Sequence, residues 1–396
     1  MIELRDYQER AVNKTLEFLK NTDKNGVLVL PTGSGKSVVI AELARRLDSN
    51  VLVFQPSKEI LEQNYQKYVS YGLDASVFSA SMGEKSIGKV TFAMIGSVKN
   101  YAQQLKHFKY IIVDECHLVN PEGSMYASFF KTLWRSRVIG LTATPYRLKT
   151  TSLGPSLRFI TRTKSRVFHS LISYVQNGEL FNRGYLCPLK YYEPFKFDKT
   201  KLRLNSTGRD YTDVSLKAYY SMIGYENIVI EYAQRLLQKR KNLLVFTRFV
   251  NEARMVSEVL GKESAYVSGE TPKKEREEIL RKFKSGEIRC VCNVGVLTTG
   301  FDFPELEAVL LARPTTSLSL YYQMVGRCIR TYPNKSEAWV VDISGNYEAF
   351  GKVENFQIVW EPNSLPYLSN GRYPLTQVSD NYYKQKYNKM NRKAFV

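Results

Sequence analysis

Short apolar runs recur along the chain and are separated by longer segments of mixed polarity. The first half carries such runs at 27–30, 51–54, 90–95, 110–113 and 138–141. The second half carries them at 243–246, 289–294, 308–311 and 338–341. A strand that is buried on both faces of a parallel sheet reads as a continuous apolar run, and helices connect such strands. The pattern therefore predicts an α/β fold with two doubly wound parallel-sheet domains.

The two series of runs, and the region between them, define the expected domains. We expect a first domain at 1–150, a second at 214–365 and a tail at 366–396. The residues between the domains, 151–213, belong to an irregular stretch that is basic at first and then rich in glycine, proline and tyrosine. We interpret them as a linker with a small accessory element. A chain of 396 residues is long enough for two separate cores.

Composition is that of an ordinary globular protein. The hydrophobic fraction is 43%, and no run approaches the ~18 apolar residues of a membrane-spanning helix. Met1 leads directly into a charged stretch, so we expect neither a signal peptide nor membrane association. The five cysteines include no C-x-x-C pair, which predicts no disulfide framework and no zinc site. This usage favours a reducing, cytoplasmic compartment.

The charge is strongly positive, with a formal net value of +19. Such an excess favours a polyanionic partner, because Lys and Arg displace condensed counterions from a phosphate backbone; basicity without such a partner is the alternative. No acidic residue occurs between Glu122 and Glu179, whereas nine basic residues lie there, from Lys131 to Arg166. The tail adds lysines, arginines and tyrosines, which would either bind nucleic acid or form a solvated terminus.

A glycine-rich segment, PTGSGKS at 31–37, lies between an apolar run and a predicted helix. A turn of this kind presents backbone N–H groups and a helix N-terminus to a polyphosphate. Lys36 would reach the outer phosphates, and the Ser37 hydroxyl would bind Mg²⁺. Leu30 stands where the usual pattern has Gly or Ala, so the motif alone leaves a chance match open. The strand and the helix around it favour a phosphate-binding loop.

Two acidic residues, Asp114 and Glu115, directly follow the apolar run 110–113. The carboxyl ends of parallel strands meet at one edge of the sheet, which places both carboxylates beside the glycine-rich loop. Asp114 is predicted to hold Mg²⁺, and Glu115 to orient or deprotonate the attacking water. Solvated acids at a strand end are the alternative. The three histidines, His107, His117 and His169, show no metal-ligand spacing.

Two arginines near the end of the second series, Arg327 and Arg330, are spaced three apart and are predicted to share one helical face. Arginines so placed can neutralise charge that develops on a γ-phosphate from across a cleft. The loop, the acids and the arginines span nearly the whole chain. We therefore predict an active site that is assembled where the two domains meet.

Eight segments in this order resemble the motifs of the superfamily 2 helicases and translocases. They lie at 4–8, 30–37, 55–57, 114–117, 141–145, 244–248, 295–302 and 323–330. The sequence DECH at 114–117 is similar to a DExH-type motif II, and LTATP at 141–145 to motif III. The resemblance implies two tandem RecA-like domains and a nucleic-acid motor that is driven by ATP and Mg²⁺.

The resemblance also implies roles for individual residues. Arg5 and Gln8 would read the adenine, while His117, Thr142 and Thr144 would couple phosphate sensing to domain closure. The implied nucleotide contacts are Thr32, Gly33, Ser34, Gly35, Lys36, Ser37, Gly300, Asp302 and Gln323. The implied contacts with the backbone of a nucleic-acid strand are Pro56, Ser57, Ser97, Arg248 and Thr299. For Ser57, Ser97 and Thr299, simple capping or turn hydrogen bonds are the alternative.

Within the superfamily, the sequence TATPYR at 142–147 and the sequence GYLCP at 184–188 look most like the branch of UvsW, RadD, the XPB-type helicases and the type III restriction translocases. This resemblance implies a bacterial or phage enzyme, associated with the nucleoid, that acts on duplex, single-stranded or branched DNA in repair, recombination or replication-fork processing. Repair or replication proteins would be its partners. An RNA helicase and a non-enzymatic nucleic-acid scaffold are the two alternatives.

Overall fold

Strands and helices alternate through the computed structural model, which describes residues 3–151, 154–163, 165–208, 210–298, 300–360 and 366–376. The strands are β1 (Gly26–Val29), β2 (Val51–Phe54), β3 (Ser76–Ser79), β4 (Glu84–Lys85), β5 (Val90–Ala93), β6 (Tyr110–Val113), β7 (Arg137–Thr142), β8 (Tyr146–Thr151), β9 (Gly154–Phe159), β10 (Ser170–Tyr174), β11 (Leu189–Tyr192), β12 (Leu243–Phe246), β13 (Ser264–Val267), β14 (Cys290–Asn293), β15 (Ala308–Leu311), β16 (Ala338–Asp342), β17 (Gln357–Val359) and β18 (Tyr367–Ser369). The α-helices are α1 (Asp6–Asn21), α2 (Lys36–Arg46), α3 (Lys58–Val69), α4 (Ile95–Val98), α5 (Met125–Thr132), α6 (Asn177–Asn182), α7 (Asp213–Ile223), α8 (Tyr225–Leu237), α9 (Val250–Leu260), α10 (Lys273–Ser285), α11 (Leu318–Val325) and α12 (Asn346–Phe350).

Two separate sheets form the frame of the molecule. The first has the strand order β10-β1-β7-β6-β2-β5-β3-β4 and is parallel except for the edge pair β3 and β4. The second has the order β11-β16-β15-β12-β14-β13 and is parallel throughout. Two antiparallel pairs, β8 with β9 and β17 with β18, lie outside these sheets. The predicted α/β class with two parallel sheets is confirmed.

The central strands coincide with the apolar runs of the sequence. Strands β1, β2, β5, β12, β14 and β15 are buried at every position. In strand β12, Leu244 and Phe246 pack into one apolar cluster, whereas Leu243 and Val245 pack into another. Successive side chains of a strand point to opposite faces, so this sheet is covered by apolar side chains on both sides.

The predicted linker at 151–213 is wrong in one respect, because it contributes an edge strand to each sheet. Strand β10 pairs in parallel with β1, and β11 pairs in parallel with β16. The expected boundaries at 150 and 213 therefore separate these two strands from their sheets. Edge strands are half exposed, and the alternating burial of β10 gives no continuous apolar run. The same region holds the hairpin of β8 and β9, which follows the first sheet directly.

The start of the predicted tail folds back on the chain. Strand β18 pairs with β17. The side-chain amide of Gln176 forms two hydrogen bonds with the backbone of that hairpin. Its Nε2 donates to Ile358 O at 2.8 Å, and its Oε1 accepts from Ile358 N at 2.9 Å. The rest of the tail, 377–396, lies outside the described residues. Among the described residues, no helix has both the length and the apolar character of a membrane span.

Close packing behind the central strand β7 yields a stability prediction. A Cβ at Gly140 would lie 2.6 Å from Cys116 Sγ and 2.8 Å from Phe168 Cε1, and both side chains are buried. Gly140→Ala is therefore expected to lower the urea midpoint of unfolding, by an amount equivalent to about 1–3 kcal/mol. Circular dichroism during urea titration measures the effect.

The matched control is Gly96→Ala in α4. Among the described residues nothing lies within 4 Å of a Cβ at this exposed position, and alanine favours helix. The control variant should be as stable as the wild type. A Gly140→Ala variant with an unchanged midpoint would contradict the close approach of motif II to this strand.

Candidate active site

A cleft of about 600 Å³ lies between the two sheets and is lined by both halves of the chain. From the first half, its lining includes Thr32, Gly33, Gly35, Lys36, Ser37, Asp114, Glu115 and Thr144. From the second half, it includes Thr298, Gly300, Phe301, Asp302, Gln323, Arg327 and Arg330. The structure thus brings the glycine-rich loop, the acidic pair and the two arginines to one cavity.

The glycine-rich loop connects the end of β1 to the start of α2. Gly33 and Gly35 have φ values of +78° and +77°, in the left-handed region that favours glycine. Gly35 is the N-cap of α2, so the first amides of the helix face the cleft side of the loop. A Cβ at Gly35 would also lie 2.6 Å from Gln8 Nε2. This geometry is that of an anion site at a helix N-terminus.

The segment at 4–8 supports the loop from behind. Gln8 Nε2 donates to Ser34 O at 2.9 Å, and the Tyr7 hydroxyl donates to the same carbonyl at 2.7 Å. The Arg5 guanidinium stacks on the Tyr185 ring, 4.4 Å from its centroid. Gln8 thus contacts the loop itself, and adenine recognition by Arg5 and Gln8 stays a prediction.

The acidic pair lies at the end of β6, as predicted, and contacts the loop. Lys36 Nζ lies 3.2 Å from Glu115 Oε1, and Asn64 Nδ2 donates to Asp114 Oδ2 at 3.4 Å. Burial raises the pKa of Asp114, and the negative charge of Glu115 adds to the rise. Burial also opposes ionisation of Glu115, but the Lys36 ammonium and His117 outweigh it and hold the pKa of Glu115 below its usual range. Glu115 is therefore the more readily ionised member of the pair.

The predicted coupling residues form a hydrogen-bonded network with Glu115. His117 Nδ1 lies 2.8 Å from Thr142 Oγ1, 3.1 Å from Thr144 Oγ1 and 3.3 Å from Glu115 Oε2. Thr142 also donates to Glu115 Oε2 at 3.4 Å. Arg147 closes the network from the other side, since its Nε donates to His117 O at 2.6 Å. Glu115 is thus linked by hydrogen bonds to motif III, and the coupling role of His117, Thr142 and Thr144 stays a prediction.

The two arginines reach the cleft from the second half, although their predicted shared helical face is wrong. Helix α11 ends at Val325, and tight turns then carry the chain through Arg327 and Arg330. Arg327 donates from Nη1 to Phe301 O at 2.5 Å, and burial lowers its pKa to about 10, with Arg330 contributing. Arg330 forms an ion pair with Asp302, and both side chains remain 38% exposed.

The residues of the cleft fit a nucleotide with a divalent cation. Asp302 lines the cleft, and its Oδ1 is buried and has no hydrogen-bond partner in the described part of the chain. Buried polar atoms are normally paired, so such atoms in a cleft indicate a polar ligand. Asp114 and Ser37, the predicted Mg²⁺ ligands, line the same cavity, and a cation there would offset the cost of a buried carboxylate.

The predicted nucleic-acid contacts divide into three groups. Pro56, Ser57 and Ser97 follow strands β2 and β5 at the carboxyl edge of the first sheet. Ser57 Oγ caps α3 through Ile60 N at 3.4 Å, and Ser97 Oγ accepts from Ala80 N at 3.0 Å. The capping alternative thus describes Ser57, although its hydroxyl also faces Gly300. Thr299 lies outside the described residues.

Arg248 is paired with two carboxylates in this structure, and its contact with a nucleic-acid strand stays a prediction. Its guanidinium lies 3.0 Å from Asp210 Oδ2 and 2.8 Å from Asp213 Oδ1. A strand phosphate would have to replace these carboxylates, which are contributed by residues distant in sequence. Asn64 and Tyr322, which the motif pattern did not single out, also contact the site. Tyr185 lies in the sequence GYLCP but was not predicted as a site residue, and it stacks with Arg5.

Comparison with known families accounts for both halves of the chain. The family described as "Type III restriction enzyme, res subunit" matches residues 1–147, and the family described as "Helicase conserved C-terminal domain" matches residues 227–332. The solved structure of the ATP-dependent Type ISP restriction-modification enzyme LlaBIII bound to DNA superimposes with a TM-score of 0.64 at 17% identity, covering 86% of this chain and 27% of that chain. This likeness supports the tandem RecA-like fold.

Relatives of similar sequence include phage and archaeal proteins. A 51.5 kDa protein of a Lactococcus phage is 26% identical over 81% of this chain and 66% of its own length. The DNA 3'-5' translocase XPB2 of Sulfurisphaera tokodaii is 28% identical over 86% of this chain and 81% of its own length. The ATP-dependent DNA helicase uvsW of Enterobacteria phage T4 is 25% identical over 85% of this chain and 67% of its own length.

These matches extend over both sheets and agree with the assembly of the cleft from two halves. The chain spans just under two thirds of the Lactococcus phage protein. The order of the motifs, the two family matches and the named relatives lead to one assignment. The chain belongs to the superfamily 2 helicases, in the UvsW/XPB-like branch.

Proposed function

We propose that the protein is an ATP-dependent DNA helicase or translocase that acts on duplex or branched DNA in repair, recombination or replication-fork processing. One observation carries the proposal: the phosphate loop, the acidic pair and the arginines of two domains line a single cleft. A site of this kind is complete only when the domains are apposed. Nucleotide binding and release then change how the domains sit on a strand.

The chemistry follows from the positions of the side chains. Lys36 and the loop amides would hold the phosphates of ATP, and Ser37 with Asp114 would hold Mg²⁺, which supplies positive charge at the phosphates when bound. Glu115, kept ionised beside Lys36 and His117, would orient and deprotonate the attacking water. Glu115 is thus proposed as the general base of a DExH-type motif II.

The second domain would complete the site with positive charge. Arg330 would exchange its ion pair with Asp302 for the γ-phosphate, because both side chains are accessible from the cleft. Arg327 is half-buried and donates to the Phe301 carbonyl, so it would help to position this segment and add positive charge from a fixed place. Gln323 and Gly300 line the same side of the cavity.

DNA is the proposed substrate because the UvsW and XPB relatives are named for DNA activities. The excess of basic residues fits any nucleic acid, and backbone contacts do not distinguish sequences. RNA is therefore the competing substrate. The residues proposed for strand contacts, Pro56, Ser57 and Ser97, lie at the carboxyl edge of the first sheet, on the side where its loops reach the cleft.

The substrate prediction is tested by phosphate release in the presence of different nucleic acids. We expect stimulation by duplex or branched DNA to exceed that by single-stranded RNA of equal length. Strand displacement on forks, four-way junctions and displacement loops, measured beside turnover, shows whether strands separate. Stimulation by RNA but not by DNA would contradict the proposed substrate and identify an RNA helicase. The absence of turnover with every nucleic acid would favour a non-enzymatic scaffold.

The two-domain site predicts a specific defect for Arg330→Ala. ATP binding should persist, because the phosphate loop is intact, while DNA-stimulated turnover should fall by about 10³-fold or more, as for other arginine fingers. Steady-state kinetics and a nucleotide-binding titration measure the two effects. Arg281→Ala, which removes an exposed arginine paired with Glu278 and Glu287, is the control and should keep its turnover. Wild-type turnover in Arg330→Ala would exclude this arginine from the reaction.

The basic interval predicts a change in salt dependence. Arg137 and Arg147 are engaged in intramolecular contacts, whereas Lys131, Arg158, Arg162 and Arg166 are exposed. If these four contact phosphates, neutralising them should make the slope of log K against log salt shallower by roughly 3, at about 0.7–0.9 per contact.

The control for the salt experiment removes the same number of exposed charges from the second domain. Its four substitutions are Arg235→Gln, Lys239→Gln, Lys262→Gln and Lys274→Gln. This variant has the same net charge as the test variant, so a purely non-local effect would alter both slopes equally. If neutralising the four basic residues leaves the salt slope unchanged, these residues are solvated and do not contact phosphates.

A further inference from the structure

A tyrosine of the second domain makes direct contact with the backbone of the phosphate loop. Tyr322 lies in α11, and its hydroxyl accepts a hydrogen bond from Thr32 N at 3.3 Å. The same hydroxyl donates to Asn177 Oδ1 at 2.9 Å. Asn177 begins α6, in the segment between the two sheets. One hydroxyl therefore joins the loop, the connecting segment and the helix that precedes the arginines.

The hydrogen bonds of this group have only one consistent direction. Asn177 Nδ2 lies 2.7 Å from Val353 O, which can only accept, so the amide oxygen of Asn177 must face Tyr322. Thr32 N can only donate. Burial raises the pKa of Tyr322, so the phenol keeps the single proton that it gives to Asn177. Each polar group is satisfied, and the loop amide has a fixed partner from the other domain.

Van der Waals packing reinforces the contact. A Cβ at Gly326, at the end of α11, would lie 2.7 Å from Thr32 Cγ2. A Cβ at Gly33 would lie 2.9 Å from Leu186 Cδ2 and 3.4 Å from Ile329 Cγ1. The loop backbone is thus pressed against the second domain and the connecting segment. A displacement of α11 must therefore either move the loop or break this contact.

We propose that Tyr322, oriented by Asn177, is a positioning residue for the phosphate loop. It fixes the start of the loop from the second domain, behind the amides that face the cleft. This inference rests on the proposed use of ATP by the loop. It assigns the second domain a role in binding the nucleotide, in addition to the charge that Arg330 supplies to hydrolysis.

The neighbouring residue offers a matched control. Tyr321 lies in the same helix, is equally buried, and donates its hydroxyl to Gly351 O at 2.8 Å, within the second half of the chain. Tyr321→Phe and Tyr322→Phe each remove one oxygen; the first removes the hydrogen bond to Gly351 O, and the second removes the hydrogen bonds to Thr32 N and Asn177 Oδ1. Both should lower the melting temperature, so a difference between them in ATP kinetics cannot arise from stability alone.

Tyr322→Phe is expected to raise the KM for ATP about three- to tenfold, the range that the loss of one hydrogen bond spans. The kcat should change less than twofold, because the loop holds the phosphates equally in the ground state and in the transition state. Tyr321→Phe should keep the KM of the wild type. Equal KM values in the two folded variants would overturn the proposal.

A double-mutant cycle tests whether Asn177 acts through Tyr322. Asn177→Leu removes the acceptor, and the combined variant Asn177→Leu with Tyr322→Phe should have a KM within about twofold of the worse single variant. Multiplication of the two effects would overturn the relay, because it would show that the residues act separately.

A direct binding measurement separates this inference from the proposed function. The Kd for ADP with Mg²⁺ is measured by titration with a fluorescent ADP for the wild type and both tyrosine variants. Weaker binding in Tyr322→Phe alone supports the positioning role even if no nucleic acid stimulates turnover. Equal Kd values in all three proteins would reject it, whereas absence of any ADP binding in the wild type would reject the nucleotide site itself.

Discussion

A phosphate-binding loop is constrained by the amides that it must leave free. Backbone N–H groups that are to face a ligand cannot be used in a helix or a sheet, so the loop lacks the hydrogen bonds that hold most backbone in place. The structure supplies the missing support from behind. Tyr7 and Gln8 both donate to the Ser34 carbonyl, and Tyr322 accepts from Thr32 N. Hydrogen bonds from the surrounding elements thus hold the loop in place.

The electrostatics of the cleft depend on the position of the phosphate loop. Because the loop fixes Lys36, its ammonium lies next to Glu115 and keeps this half-buried carboxylate ionised. His117 adds a second contact and links Glu115 to Thr142 and Thr144. Burial and the neighbouring charges shift the pKa values of the two carboxyl groups in opposite directions, up for Asp114 and down for Glu115. The roles of cation ligand and general base stay predictions.

The sequence predicted those features that are local in the chain. Apolar runs located the buried central strands, and the ordered motifs located the loop, the acidic pair and the arginines. Strand β11 was not predicted from the sequence. Its residues are alternately half-buried and exposed, and its sequence, LKYY, contains a lysine. A half-exposed edge strand carries no continuous apolar signal, so the linker seemed irregular although it completes both sheets.

Contacts between residues far apart in the chain could not be predicted from the sequence pattern. The spacing of Arg327 and Arg330 suggested a helical face, but Gly326 packs against Thr32 and the helix ends before the first arginine. The ion pairs of Arg248 with Asp210 and Asp213 join residues far apart in sequence, and the pattern gave no sign of them. Tyr322 had no signal, since a tyrosine at a buried helical position usually means packing.

Contacts of Gly300 connect the nucleotide cleft with the proposed strand-binding residues. Gly300 of the second half faces the side chains of Ser57 and Ile60 in the first, and Gln63 Nε2 donates to Gly300 O at 3.4 Å. Gly300 also lines the nucleotide cleft, while Ser57 belongs to the proposed strand contacts. A strand that displaced Ser57 or α3 would therefore disturb the backbone that carries Asp302, the partner of Arg330. If a nucleic-acid strand binds at Ser57, as proposed, this short path would connect the bound strand to the ion pair of Arg330 with Asp302.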